Sequence, residues 1–259
     1  MRIDRVDADA WVAIGKEYGS SSLVLSRGSD ALLIEALGSR GDAEELQRWI
    51  EGTLEKRVRL IIATHYFSDH LAAIERFPDA IVITHSSWRE VWKSEAYRSA
   101  EEESWLVEPT IEVNDGLRIS WGRFALDLFH NPGHTAGTLN VDIPQLDLIH
   151  VGDTLVGNVA YVQYSTPQRL LDAIDRIRER NRSRLMSSHG PVRDAVALDH
   201  AEHYLRRLVE HVSRLRSGAE SREASPAIPA RDCYPAGVEP TPFEEIFHQR
   251  NLDTMMAEG

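Results

Sequence analysis

Residues 64–70 read "THYFSDH", and the segments on either side of them decide how the chain is folded. Ahead of them, "RLIIA" (59–63) sets Leu60, Ile61 and Ile62 in an apolar run, the pattern of a buried strand. Behind them, "LAAIERFP" (71–78) repeats Leu71, Ile74 and Phe77 at helical spacing, and Pro78 ends that helix. The histidines and the aspartate therefore sit on a strand-to-helix turn.

Upstream of this turn, short strands at Trp11 to Ile14 and Leu23 to Ser26, the turn "RGSD" and the strand "ALLIEA" predict a hairpin with one well-buried face. Asp42 and Glu45 have capping-box spacing, and Leu46, Trp49, Ile50 and Leu54 form the apolar face of the helix that follows. Downstream, "AIVIT" is a strand, and Ser87 with Glu90 repeats the capping-box spacing before Trp88, Val91 and Trp92. The pattern returns to strand between Leu117 and Leu128. Thr166 and Pro167 start a helix carrying Leu170, Leu171, Ile174 and Ile177. The strand "RLMSS" leads into "HGPV", and the longest helical signal runs from about Arg193 to Ser217, with Gly218 as its stop. Strand and helix thus alternate through an α/β layered body spanning residues 1–218. Residues 219–240 read as an irregular connector, and Thr241, Pro242 and Glu244 restart a helix with Phe243, Ile246 and Phe247, expected to pack on the body or on a second subunit.

Composition narrows the function. The formal charge of −12 disfavours nucleic acid as a partner and leaves a small-molecule substrate. No long apolar run occurs, and "MRIDRVDADAWVAIG" lacks a basic start followed by an apolar stretch, so a cytoplasmic chain without membrane attachment is expected. A homo-oligomer is left open. Cys233 is the single cysteine, so a metal would have to be held by histidine and carboxylate.

The segments "THYFSDH", "NPGHT", "HVGDT" and "SSHGP" each place His or Asp after an apolar strand or in a glycine-containing loop. Their candidates are His65, Asp69, His70, His134, Asp153 and His189, and imidazole with carboxylate suits zinc or iron. Taken singly, each has an ordinary alternative as a hydrogen-bonded histidine, a helix-start residue or a turn former. Their combination and order resemble the metallo-β-lactamase fold superfamily of metallohydrolases. Its first motif has the form His-x-His-x-Asp-His, matched here by "HYFSDH", and "PGHT", "GDT" and "HGP" match its later motifs.

The resemblance covers roughly residues 10–215. It implies an αββα four-layer sandwich with metals at one edge of the two sheets. It assigns His65 and His134 to a first metal and Asp69, His70 and His189 to a second, with Asp153 bridging, and gives Asp69 and Asp153 the task of holding the nucleophile. The implied activity is hydrolysis of an ester, thioester, lactone or amide by metal-bound hydroxide, with zinc at one or two ions per chain. Phe67 departs from the pattern, standing where the family has its second histidine. It leaves the first position short of a ligand, so the second is expected to dominate, the alternative being that both fill with water making up the missing ligand of the first. Alternatively, His65, His134 and Asp153 form a two-His, one-carboxylate iron site like that of the superfamily's persulfide dioxygenases. A metal-poor relative that binds a ligand or partner is the non-enzymatic alternative. Glu35 departs more mildly, standing in "LLIEA" where the family has Asp.

Among other residues, His85, His130 and His150 lie near enough to the motifs to support ligands. His200, His203 and His211 fall on the long helix as surface or capping groups. Tyr161 and Tyr164 follow the "GDT" loop as buried or substrate-facing rings, and Trp88, Trp92 and Trp105 suit a core or a lid.

Overall fold

In the computed structural model, which describes residues 1–96, 98–217 and 228–257, two β-sheets stack face to face between helical layers. The 7-stranded sheet runs in sequence order through β1 (Arg2–Asp7), β2 (Ala10–Ile14), β3 (Ser21–Arg27), β4 (Asp30–Ile34), β5 (Arg57–Ile62), β6 (Ile81–His85) and β7 (Ile111–Val113). Its first four strands are antiparallel, and from β4 onward the pairs are parallel. Parallel neighbours need crossovers. The helix α1 (Arg40–Arg48) supplies the one between β4 and β5, and α2 (Trp88–Ser94) lies between β6 and β7.

The 6-stranded sheet holds β8 (Gly116–Trp121), β9 (Phe124–His130), β10 (Leu139–Ile143), β11 (Leu148–His150), β12 (Arg184–Met186) and β13 (Arg193–Asp194), in the order β13-β12-β11-β10-β9-β8. Only β11 and β12 pair in parallel, and α3 (Pro167–Arg178) crosses between them.

Alternation along the strands explains the layers. Leu32 and Ile34 point into an inner core with Leu126, Leu128, Val141 and Met186 of the opposite sheet, whereas Leu33 points outward to meet Leu46 and Trp88 of the helices. On the far side, α3, α4 (Val196–Arg216) and α5 (Pro242–Ala257) pack through Ile174, Leu205, Leu208, Phe247 and Leu252. This is the αββα sandwich expected from the sequence. Leu205 is fully buried in that outer cluster, so Leu205→Ala is expected to cost about 3 kcal/mol. Urea unfolding should show a lower midpoint at an unchanged slope.

Several local expectations are corrected. Residues 71–77 form no α-helix; the segment is built from 3-10 turns at Ser68–His70 and Ile74–Arg76. Its backbone bonds sideways instead, with Ala36 N donating to His70 O, Ala72 N to Leu37 O and Ala73 N to Ala36 O. The N-cap of α1 is Ser39, whose hydroxyl accepts from Asp42 N, so the cap lies three residues earlier than expected. Ser87 does not cap α2 through its side chain, because its hydroxyl bonds His85 Nδ1 at 2.8 Å. The long helix starts at Val196 rather than near Arg193, which belongs to β13. Gly218 and most of the expected connector, residues 219–227, lie outside the described residues.

After the connector, α5 is fastened to the segment that follows β11. Glu244 is buried and accepts from Asn158 N at 2.5 Å and Asn158 Nδ2 at 3.0 Å. Asn251 accepts from Val162 N at 2.8 Å and donates to Ala160 O at 2.9 Å. Among the described residues no helix is long and apolar enough to cross a membrane.

Candidate metal centre

The candidate ligands arrive from separate loops at one edge of the sheets. His65, Asp69 and His70 follow β5, His134 lies between β9 and β10, Asp153 sits in the turn after β11, and His189 follows β12. Close approach of these loops depends on small residues. Gly152 has φ +58, and a Cβ there would lie 2.8 Å from Thr64 Oγ1, so glycine lets the Asp153 turn press against the residue next to His65. His189 is anchored across the sheets, with Ser21 N donating to Ser188 O at 2.7 Å and Gly190 N to Gly19 O at 2.9 Å.

The side chains converge into two groups that share Asp153. Asp69, His70, Asp153 and His189 form one, and His65, His134 and Asp153 the other, each with its donor atoms within 4.8 Å of one another. His189 Nε2 lies 3.1 Å from Asp153 Oδ2 and 3.6 Å from Asp69 Oδ2. His70 Nε2 lies 3.2 Å from Asp69 Oδ1 and 3.5 Å from Asp153 Oδ2. The His65 ring stands 4.5 Å from His70 and 5.0 Å from His134, centroid to centroid.

The surroundings aim these rings. His189 Nδ1 donates to the Tyr18 carbonyl at 2.9 Å, leaving Nε2 toward the carboxylates. His65 Nδ1 pairs with Thr64 Oγ1 at 3.2 Å, leaving Nε2 without a hydrogen bond. His134 has both nitrogens buried and unbonded, and Asp153 Oδ1 is buried and unbonded as well. An unsatisfied buried polar atom costs about 1–3 kcal/mol. Several of them within donor groups this tight fit a cation, so this donor set suits a resident metal.

Electrostatics agree. Burial pushes His134 down to about 4 and holds His65 well below its ordinary value, so both are neutral and available as ligands. Burial also opposes charge on His70, but Asp69, Asp153 and Glu35 outweigh it and raise the imidazole to about 10. Burial favours protonation of Asp153, yet His189 and His70 hold its carboxyl well below the usual range.

The match to known proteins follows the same residues. A family model described as the metallo-beta-lactamase superfamily matches residues 14–206. The chain belongs to the metallo-β-lactamase superfamily. It is similar to a Caenorhabditis elegans protein named beta-lactamase-like protein 2 homolog, 23% identical over 207 residues covering 78% of this chain and 67% of that protein. A hydroxyacylglutathione hydrolase of Thermosynechococcus vestitus is 28% identical over 127 residues, 47% of this chain and 45% of that one. The human acyl-coenzyme A thioesterase MBLAC2 is 24% identical over 193 residues, 60% of this chain and 69% of that one. The chain thus spans under half of the cyanobacterial relative and about two thirds of the other two. Among solved structures, a metallo-beta-lactamase from Pontibacter korlensis superposes with a TM-score of 0.66 at 23% identity, over 79% of this chain and 98% of that one, which shows the fold. As a superfamily member, the chain is a metal-dependent hydrolase.

Within this metallo-β-lactamase framework, Phe67 has an observable place. Its ring packs 5.2 Å from His65, 5.5 Å from His134 and 4.7 Å from Tyr164, so it sits beside the first group without offering a donor. Glu35 acts from behind. It holds a left-handed backbone at φ +69, and its buried Oε1 accepts from Thr64 N at 2.9 Å while Oε2 lies 3.6 Å from His70 Nδ1. Burial raises its carboxyl to about 7. Glu35→Ala is expected to weaken metal binding by about 10- to 100-fold, read by competition against a chromophoric chelator.

The structure keeps other candidates apart. His85 and His130 stack on each other at 4.0 Å, and their Nε2 atoms pair with the Asn114 and Ala136 carbonyls. His150 is buried beneath the "GDT" turn, pushed down to about 3 by burial, with Nδ1 accepting from Gly152 N. On α4, His200 pairs with Asn158 and His211 with Arg207. Trp88, Trp92 and Trp105 are core. Tyr161 and Tyr164 both line the cavity over the centre, together with Tyr18, Glu95 and residues of α5. Nothing local in "GKEYGS" signals that the Tyr18 carbonyl would orient His189, since that contact joins residues far apart in sequence.

Proposed function

We propose that the chain hydrolyses a small-molecule ester, thioester, lactone or amide at a zinc centre. Asp69, His70, Asp153 and His189 hold the better-furnished position, and His65 and His134 share Asp153 in a weaker one. The observation that carries this reading is the gathering of buried imidazoles and carboxylates, several of their atoms without a hydrogen bond, into two groups that share Asp153. A bound zinc ion lowers the pKa of its water from about 15.7 toward roughly 7 and polarises a substrate carbonyl. The chain's own groups supply the rest. Asp69, whose side chain is 27% exposed, faces the cavity, orients the attacking water and takes up its proton. Asp153 holds the centre together. Phe67, Tyr161 and Tyr164 exclude bulk water from the reacting carbonyl.

The test is turnover of a panel of activated esters and thioesters by protein stripped with a chelator and then reloaded. Activity restored by zinc supports the proposal; equal activity in stripped and reloaded protein opposes it. A second reading rests on the group His65, His134 and Asp153, a two-His, one-carboxylate set suited to iron. Oxygen consumption with a persulfide by iron-loaded protein, without ester turnover, would favour it. Phe67→His is expected to add metal at the weaker position. A titration with identical stoichiometry before and after would count against that placement.

A further inference from the structure

We infer that the acyl half of the substrate is uncharged and apolar, a medium-length aliphatic chain or a phenyl ring, and that α5 sets this preference. The inference rests on the acyl-hydrolysis reading above and names the group that the site accepts.

The cavity that opens on Asp69, Asp153 and His189 has a volume of about 230 Å³. Its walls are aromatic. Phe67 packs on Tyr164 at 4.7 Å, Tyr164 lies 6.3 Å from Tyr161, and Tyr161 meets Phe247 of α5 at 4.7 Å. Phe243 lies 4.9 Å from Phe247 and 5.6 Å from the His189 ring, so α5 brings an apolar surface directly beside the centre. Ile246, also on the cavity, leaves 51% of its area exposed, which costs free energy unless a ligand covers it. Rings held close to a polar centre select groups that gain by leaving water.

Charge points the same way. Glu95, Glu102 and Arg250 also line the cavity. A carboxylate at the end of the acyl group would face acids as well as that guanidinium, so it gains no net attraction, whereas a methyl or phenyl terminus meets rings.

The position of this wall is fixed by design of the sequence around it. Buried Glu244 and Asn251 clamp α5 to residues 158–162. Gly157, at φ +63, leaves the space that the Glu244 carboxylate fills. The superfamily match ends at residue 206, so the part of the wall that α5 supplies lies beyond the matched residues, whereas Phe67, Tyr161 and Tyr164 lie within them. Phe67 joins the two: it sits in the family's ligand motif yet contributes a ring to the acyl wall.

The experiment has two parts. The first is kcat/KM for acetyl, butanoyl, hexanoyl, phenylacetyl and carboxylate-ended adipoyl p-nitrophenyl esters, with wild type, Phe247→Ala and Gly157→Ala. The wild-type value is expected to rise by up to about fourfold per methylene, with the adipoyl ester at least tenfold below the hexanoyl. The hexanoyl-to-acetyl ratio is expected to fall about tenfold in Phe247→Ala. Gly157→Ala, whose Cβ would displace the Glu244 carboxylate that clamps α5 without altering a wall ring, should lower the same ratio. The second part is calorimetric binding of straight-chain carboxamides from acetamide to octanamide, which needs no turnover. Tightening along the series in wild type but not in Phe247→Ala supports the inference. Flat binding, an unchanged ratio in both variants, or preference for the carboxylate-ended ester overturns it. If no ester is hydrolysed while carboxamide binding still tightens, the hydrolysis reading fails and the apolar pocket stands.

Discussion

Replacing Asp153 with alanine is expected to abolish turnover while the protein stays folded. Asp153 is the one side chain common to both donor groups. Its Oδ2 lies 3.1 Å from His189 Nε2 and 3.5 Å from His70 Nε2, and its Oδ1 has no hydrogen-bond partner. Its removal therefore deprives both positions at once. Losing about 4 kcal/mol of charge stabilisation corresponds to roughly a thousandfold in rate. The fold survives because Asp153 lies on a 3-10 turn after β11 and contributes no apolar packing to the layers. Steady-state kinetics, metal content and far-ultraviolet circular dichroism on the same preparation check this. Unchanged kcat/KM in a protein that still holds its metal would remove Asp153 from the account.

The second large effect is expected on metal removal. A ligand that binds only the folded chain, at a thousand times its Kd, stabilises it by about 4 kcal/mol. At roughly 2–4 °C per kcal/mol for a chain of this size, stripping should lower Tm by about 10 °C, and zinc should restore it. The stripped protein should also acquire a pH dependence. His70 is raised to about 10, against an ordinary value near 6.5. A group raised on folding contributes stability that is full below its unfolded pKa and lost as pH rises through the folded value. The stripped protein should therefore lose stability between about pH 6.5 and 10. His189 is raised as well, with Asp153 overcoming the opposing effect of burial, and acts in the same direction. Because zinc takes only neutral imidazole, loading should release the His70 proton, and uptake should weaken as pH falls. Differential scanning calorimetry of loaded and stripped protein across that range, with titration in buffers of different ionisation enthalpy, measures both. Equal Tm values and no proton release would contradict a metal on His70.

Much of this site could be read from local patterns because its donors follow strands. "RLIIA" before His65, "LIH" before Asp153 and "RLM" before His189 each mark a buried strand whose end carries the donor. The layers were legible for the same reason, since period-two burial along β4 sends Leu32 and Ile34 to one face and Leu33 to the other. The strand β1 was not, because "RIDRVD" is half-exposed and lacks an apolar signature. The spacing of Leu71, Ile74 and Phe77 satisfied a helical template, but neighbouring backbone at Ala36 and Leu37 offered competing hydrogen bonds, and 3-10 turns formed. Asp42 lost the cap to Ser39 because both residue types suit that role, and the Asp42 carboxylate is instead occupied by Lys16 N and Glu17 N. The wall supplied by α5 depends on contacts between residues such as Asn158 and Glu244 that no local pattern announces.

The most direct test of the central claim is metal content by inductively coupled plasma mass spectrometry on protein purified without added metal. The account predicts zinc at about one ion per chain, increasing toward two when zinc is supplied in excess, as four-ligand and three-ligand positions sharing a carboxylate require. Protein that carries no zinc, and retains none after reconstitution and desalting, would contradict it.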